Sequence, residues 1–139
     1  MILLDTSGLL AAIDQSQRHH RVAAAALRAA APPRILSPFV LAELDYLLGT
    51  RVTAAAQDAF LEQVESGAYR LAPFDGADVA RARIVLDRYR DLRLGIADAS
   101  IVVLAERHEA HDVLTLDERH FRALRGPGGR PFRLLPSDG

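Results

Sequence analysis

The stretch that decides the fold stands at the start of the chain, where residues 1–10 have the sequence MILLDTSGLL. Four apolar residues lead directly to Asp5, and apolar residues resume at Leu9. An apolar run this short, with no alternation, predicts a strand buried on both faces, which is typical of a parallel sheet covered by helices. Ligands of such sheets bind beyond the carboxyl ends of the strands, and Asp5 stands at that end.

Two roles are open to Asp5. Aspartate, threonine and serine are all preferred N-caps, so Asp5, Thr6 or Ser7 could begin a helix. Alternatively the Asp5 carboxylate belongs to a ligand site, and the two hydroxyls hydrogen bond to it or to a nearby phosphate. Further carboxylates in the same setting would favour the second role.

Two more acids occupy comparable positions. Short apolar runs predict further strands at 34–36, 69–72 and 113–116, with an edge strand at 132–135. Asp117 follows the strand at 113–116 as Asp5 follows the first, although it could also cap a short helix. Asp98 opens a strongly apolar helix, where it could instead compensate the helix dipole.

Glu43 lies in a helix that begins after Ser37, a capping hydroxyl followed by proline. Residues 39–48 are apolar nearly all round, which predicts a buried helix. A carboxylate on a buried face needs a metal or an arginine partner. Glu43 could also mark a solvent-facing stripe beside Asp45, and these alternatives stay open.

Length and composition exclude or disfavour several classes of protein. A chain of 139 residues that is half hydrophobic is expected to form one domain, residues 1–139. Without cysteine it has neither disulfides nor a thiolate metal site. No apolar run approaches the roughly 20 residues of a membrane span, and no signal peptide is recognisable, so we expect a cytoplasmic protein. A net charge of −1 disfavours a general nucleic-acid coating protein.

If the strands are parallel, the four acids converge at one edge of the sheet. Several carboxylates without thiolates suit the hard cations Mg²⁺ and Mn²⁺. Such a site would support metal-assisted hydrolysis of a phosphodiester. The acids concerned are Asp5, Glu43, Asp98 and Asp117.

These residues carry a resemblance to PIN domain ribonucleases, and within them to the VapC toxins of bacterial toxin–antitoxin systems. The resemblance runs nearly end to end, and its order and spacing make it specific. Its four segments are LLDTSGLLA at 3–11, LAELDYLL at 41–48, LRLGIADASIVVLAERH at 92–108 and VLTLDERHF at 113–121.

The resemblance implies a PIN-like α/β/α sandwich with a central parallel sheet of four to five short strands. It implies a Mg²⁺- or Mn²⁺-dependent endoribonuclease that acts on tRNA or rRNA, forms a homodimer and is neutralised by a VapB-like antitoxin. It places the catalytic and metal-binding acids at Asp5, Glu43, Asp98 and Asp117, with Thr6 and Thr115 as supporting polar residues. A PIN-fold module that binds RNA or protein without cleaving it is the alternative.

Other patterns are weaker. A haloacid-dehalogenase-like phosphatase is disfavoured, because that family carries a second aspartate where Ser7 stands and a lysine that this chain lacks. The five histidines show no zinc-binding spacing and are assigned to the surface or to packing. Among the arginines, Arg119 and Arg122 are candidate RNA contacts because they flank Asp117. A helix at 75–90 is predicted to direct four apolar residues inward, namely Val79, Ile84, Val85 and Leu86.

Overall fold

The computed structural model describes residues 1–139 and has an all-parallel, five-stranded sheet at its centre. The central strand β1 pairs with β2 on one side and with β4 on the other. Leu3 is in register with both Ile35 and Val113, so the carboxyl ends of these three strands meet at one edge. The spatial order is β3-β2-β1-β4-β5, with strands β1 (Ile2–Leu4), β2 (Arg34–Leu36), β3 (Arg70–Leu71), β4 (Asp112–Leu114) and β5 (Arg133–Leu135).

Seven helices flank the sheet, which confirms the expected α/β/α architecture. Two short 3₁₀ turns, Arg90–Leu92 and Pro127–Gly129, complete the elements. None of the helices has the length and hydrophobicity that a bilayer span requires. The helices are α1 (Thr6–Ile13), α2 (His20–Ala29), α3 (Pro38–Arg51), α4 (Ala54–Glu65), α5 (Gly76–Arg88), α6 (Ile96–His108) and α7 (Glu118–Phe121).

The first strand is as buried as its sequence predicts. Ile2, Leu3 and Leu4 are each at most 1% exposed and belong to a hydrophobic cluster of 25 buried residues. Each such side chain stabilises the fold by roughly 1.5–3 kcal/mol when fully buried. The strand that presents Asp5 is therefore buried along its whole length in the core.

Gly8 brings the start of α1 against the end of β4. A Cβ atom at this position would lie 2.4 Å from the carbonyl oxygen of Leu114, a backbone atom that cannot move aside cheaply. Only glycine therefore permits this approach. It holds the residues that follow β1 beside those that follow β4.

The prediction that α3 is buried all round was wrong. Its buried residues form a single stripe of Val40, Leu44 and Leu48 at intervals of four. Tyr46 is 67% exposed, and Glu43 is exposed as well. The helix belongs to an outer layer, so it needs only one apolar face despite its apolar composition.

Helix α5 also faces differently from its prediction. Val79 and Ile84 are exposed, whereas Ala82 is buried against Ala99 and Val103 of α6. Small residues let the two helices approach closely, so alanine rather than the larger apolar residues occupies their contact. Val85 and Leu86 pack beside this contact, as predicted, but they are only half-buried.

Candidate active site

A pocket of about 550 Å³ opens at the carboxyl edge of the sheet. Its walls come from the end of β1, the start of α1, α3, the first turn of α6 and the turn before α7. The structure thus brings together all four acids that the sequence singled out. They are Asp5, Glu43, Asp98 and Asp117.

Asp5 is buried at the N-cap position of α1, but its side chain caps nothing. Its Oδ2 instead accepts hydrogen bonds from the hydroxyls of Ser7, at 2.8 Å, and Thr115, at 2.7 Å. The capping role considered for Asp5 was therefore wrong. Burial raises the pKa of Asp5 above its ordinary value, and the two hydroxyl hydrogen bonds oppose that rise.

The same two hydroxyls connect β1 to β4. The backbone N–H of Leu116 donates to Ser7 Oγ, and that of Asp117 donates to Thr115 Oγ1, each at 2.9 Å. Asp5 and Asp117 are consequently joined through one hydrogen-bond network. The predicted supporting position Thr115 lies in this network, whereas the buried hydroxyl of Thr6 has no hydrogen-bond partner.

The pKa of Asp98 is raised by burial and by the charges of the other acids. It lies in the first turn of α6 with its side chain 19% exposed. Burial raises the pKa of Asp98 to about 6, with further increases from the charges of Asp5, Asp117 and Glu43. Like charges in a shared site disfavour ionisation, so the pocket concentrates negative charge that the chain itself only partly compensates.

His120 supplies that partial compensation. Its Nδ1 lies 2.9 Å from Asp117 Oδ2 and 3.4 Å from Asp98 Oδ2. The assignment of all histidines to surface or packing roles was wrong for this one. The spacing of three residues from Asp117 was the available signal, because the first turn of a helix brings such side chains together.

Asp117 caps α7 and also lines the pocket. Its Oδ1 accepts from the backbone N–H of His120 at 3.1 Å and so caps α7, while Oδ2 faces the imidazole. Glu43 has no ion-pair partner and reaches the pocket beside Leu47. The arginine partner considered for Glu43 is therefore absent, and its exposure matches the solvent-facing alternative.

The chemistry of the donor set suits a hard divalent cation. The pocket offers four carboxylates, and the buried hydroxyl of Thr6, which has no hydrogen-bond partner, also lines it. No three histidine, aspartate or glutamate side chains are yet arranged to hold one ion as they stand. A bound cation would relieve the repulsion that adds to the effect of burial in raising the pKa of Asp98.

The two candidate RNA-contacting arginines differ in their surroundings. Arg119 is exposed. The guanidinium of Arg122 donates to both carboxylate oxygens of Asp138, at 2.7 and 2.8 Å, and to Glu118 at 2.7 Å. These carboxylates raise the pKa of Arg122 above its ordinary value. Contact between Arg122 and a phosphate would require these pairs to break.

Comparison with known proteins gives concordant results. The family model described as PIN domain matches residues 2–127. Ribonuclease VapC26 of Mycobacterium tuberculosis (strain ATCC 25618 / H37Rv) is 42% identical over 135 residues, which cover 97% of this chain and 100% of that protein.

Two solved structures share the fold. VapC20 of Mycobacterium tuberculosis, described as a sarcin–ricin loop cleaving toxin, superimposes with a TM-score of 0.78 at 21% identity. That match covers 84% of this chain and 90% of VapC20. FitAB bound to a DNA fragment matches with a TM-score of 0.64 at 23% identity, over 87% of this chain and 88% of the other.

Proposed function

The chain belongs to the PIN domain family, and from this premise we propose that it is a VapC-type endoribonuclease toxin that hydrolyses RNA phosphodiester bonds. The observation that carries the proposal is the convergence of Asp5, Glu43, Asp98 and Asp117 on one pocket. Identity of 42% with a ribonuclease across nearly the whole chain supports it. Structured RNA, a tRNA or an rRNA loop, is the proposed substrate.

The acids have distinct tasks in this proposal. Asp5 is the fixed member, because the hydroxyls of Ser7 and Thr115 hold its carboxylate in one orientation. Asp98 on α6 and Asp117, just before α7, line the same pocket, and the exposed Glu43 completes the set from α3. Together they would hold Mg²⁺ or Mn²⁺, which when bound stabilises charge on the phosphodiester and lowers the pKa of water.

The family relationship suggests two partners, and we propose both. A VapB-like antitoxin would neutralise the enzyme by inserting a tail into the pocket, and an arginine on that tail would complement the clustered carboxylates. We propose a homodimer as well, which the exposed apolar side chains of Tyr46 and Ile84 would help to form. We also propose a cytoplasmic site of action, where such an RNA and antitoxin would both be found.

The proposal is tested by incubating the protein with total RNA in Mn²⁺, in Mg²⁺ and in EDTA. Wild type should cleave with either cation and not with EDTA, and Asp5→Asn should not cleave at all. Asp112→Asn is the matched control, since Asp112 lies at the amino end of β4, away from the pocket at the carboxyl ends of the strands. RNA that is bound but never cut would favour the non-cleaving module, and cleavage in EDTA would refute the metal-dependent mechanism.

A further inference from the structure

The pocket that holds the four acids also has an apolar side. It is formed by Leu10 of α1, Leu47 of α3, and Ile96 and Ala97 at the start of α6. Leu10, Leu47 and Ile96 are half-buried, so each keeps part of its surface for contact with a ligand. No arginine, lysine or histidine lines the pocket. A phosphate would therefore meet no cationic side chain here, and the apolar side suits an uncharged part of a substrate.

Leu47 differs from the other leucines around it because it contributes nothing to the core. Leu10 packs against the main hydrophobic cluster, and Ile96 packs against the smaller cluster between α5 and α6. Leu47 packs against neither, although Leu41 of the same helix does pack against the main cluster. A large apolar side chain that lines a pocket without packing on the core favours a role in binding.

The apolar side chains lie close to the acids in the helices that carry both. Leu47 follows Glu43 by four residues in α3, which is about 6 Å along the helix axis. Ile96 precedes Asp98 by two residues at the start of α6. A ribose separates a nucleobase from its phosphate by a comparable distance. A phosphodiester held at the acids would consequently bring an adjoining base to Leu47 and Ile96.

We propose that Leu47 and Ile96, together with Leu10, form a subsite for the nucleobase next to the cleaved phosphodiester. The inference rests on the proposed function, because it concerns the RNA that is cut at the same acids. An apolar surface contacts the flat face of a base, which all four bases have, and offers no partner to the hydrogen-bonding edge. The subsite therefore distinguishes a nucleotide with a base from one without, and discriminates little among the four bases.

The test pairs a change in the protein with a change in the RNA. An oligoribonucleotide that wild type cuts is resynthesised with an abasic nucleotide on one side of the cut or the other, and kcat/KM is measured in Mn²⁺. Loss of the adjoining base should lower kcat/KM of wild type by about 10-fold or more. Leu47→Asn should lower it by a similar factor on intact RNA and cause no further loss on the abasic RNA, because both changes remove the same contact. Leu47→Met keeps an apolar side chain and should behave as wild type.

Two other leucines serve as controls. Leu61 is exposed on α4 outside the pocket, so Leu61→Asn should cleave both RNAs as wild type does. Leu41 packs against the core, so Leu41→Asn should lower the melting temperature much more than Leu47→Asn. That second comparison checks that Leu47 is free of the core.

An abasic nucleotide that wild type tolerates on both sides of the cut would overturn the inference and leave the proposed nuclease intact. Losses from the two changes that multiply would do the same. Unchanged cleavage of intact RNA by Leu47→Asn would also overturn it, and would favour a protein tail as the occupant of the apolar side. Absence of cleavage by wild type with either cation would overturn the proposed nuclease together with the subsite.

Discussion

Replacing Asp98 by asparagine should make the metal-free protein more stable at neutral pH. Burial and the neighbouring acids raise the pKa of Asp98 from 3.8 to about 6 in the folded protein. The folded state thus binds this proton more readily than the unfolded chain, so stability is lost as pH rises from about 3.8 to about 6. Asparagine does not titrate and avoids that loss.

The size of the effect follows from the pKa difference. A change from 3.8 to about 6 corresponds to about 3 kcal/mol of stability lost by wild type above pH 6. Removing a negative charge from the first turn of α6 costs up to about 1 kcal/mol. The net gain of the variant is therefore about 2 kcal/mol at pH 7.5, or about 5–10 °C in melting temperature for a chain of this size.

Thermal melts in EDTA at pH 4.5 and pH 7.5 measure this difference, with Asp112→Asn as the control for the substitution itself. The advantage of Asp98→Asn should be present at pH 7.5 and largely gone at pH 4.5. Mn²⁺ at a hundredfold excess over its dissociation constant should stabilise wild type by about 2.7 kcal/mol and the variant by less. A variant that melts lower than wild type at pH 7.5 would show that Asp98 serves the helix dipole and would refute the clustered-charge reasoning.

Five further substitutions, in three comparisons, test other parts of the account. Glu43→Gln should abolish RNA cleavage yet stay within about 0.5 kcal/mol of wild type in chemical unfolding, because the side chain is exposed and unpaired; a large loss would reveal a structural role. Gly8→Ala should destabilise the fold by about 3 kcal/mol or more through its clash with backbone, whereas Gly76→Ala, with open space around its Cβ, should not. Arg119→Ala should reduce the slope of log affinity against log salt by about 0.7–0.9 if it contacts a phosphate, and Arg122→Ala should leave that slope unchanged.

The sheet and the acids of the pocket were predictable because each has a local signal. A short apolar run before Asp5 and another before Asp117 predict buried parallel strands, and parallel strands bring their carboxyl ends to one edge. For Glu43 the sequence left open whether the carboxylate lies on a buried face or on a solvent-facing stripe, and the structure shows it exposed. Because α3 is apolar on most sides, its sequence does not indicate which stripe faces the core. In the structure only Val40, Leu44 and Leu48 are buried.

Tertiary contacts determine the features that the sequence did not predict. His120 lies beside Asp98 although the two are 22 positions apart in the chain, and no local periodicity encodes that contact. Arg122 forms an ion pair with Asp138, 16 positions further along the chain. Its guanidinium is therefore not free to bind phosphate, which the sequence did not indicate. The inward face of α5 depends on how closely α6 approaches, so small Ala82 displaces the larger Ile84 from the contact.

The ends of the cleaved RNA test the central claim most directly. An oligoribonucleotide that the protein cuts should be resynthesised with one 2′-deoxynucleotide at the cut site and incubated with the protein and Mn²⁺. If the acids around Asp5 direct a water molecule to the phosphodiester, the substituted RNA is still cut and no 2′,3′-cyclic phosphate forms. Loss of cleavage, together with cyclic phosphate ends on the unmodified RNA, would show attack by the 2′-hydroxyl and would contradict the account.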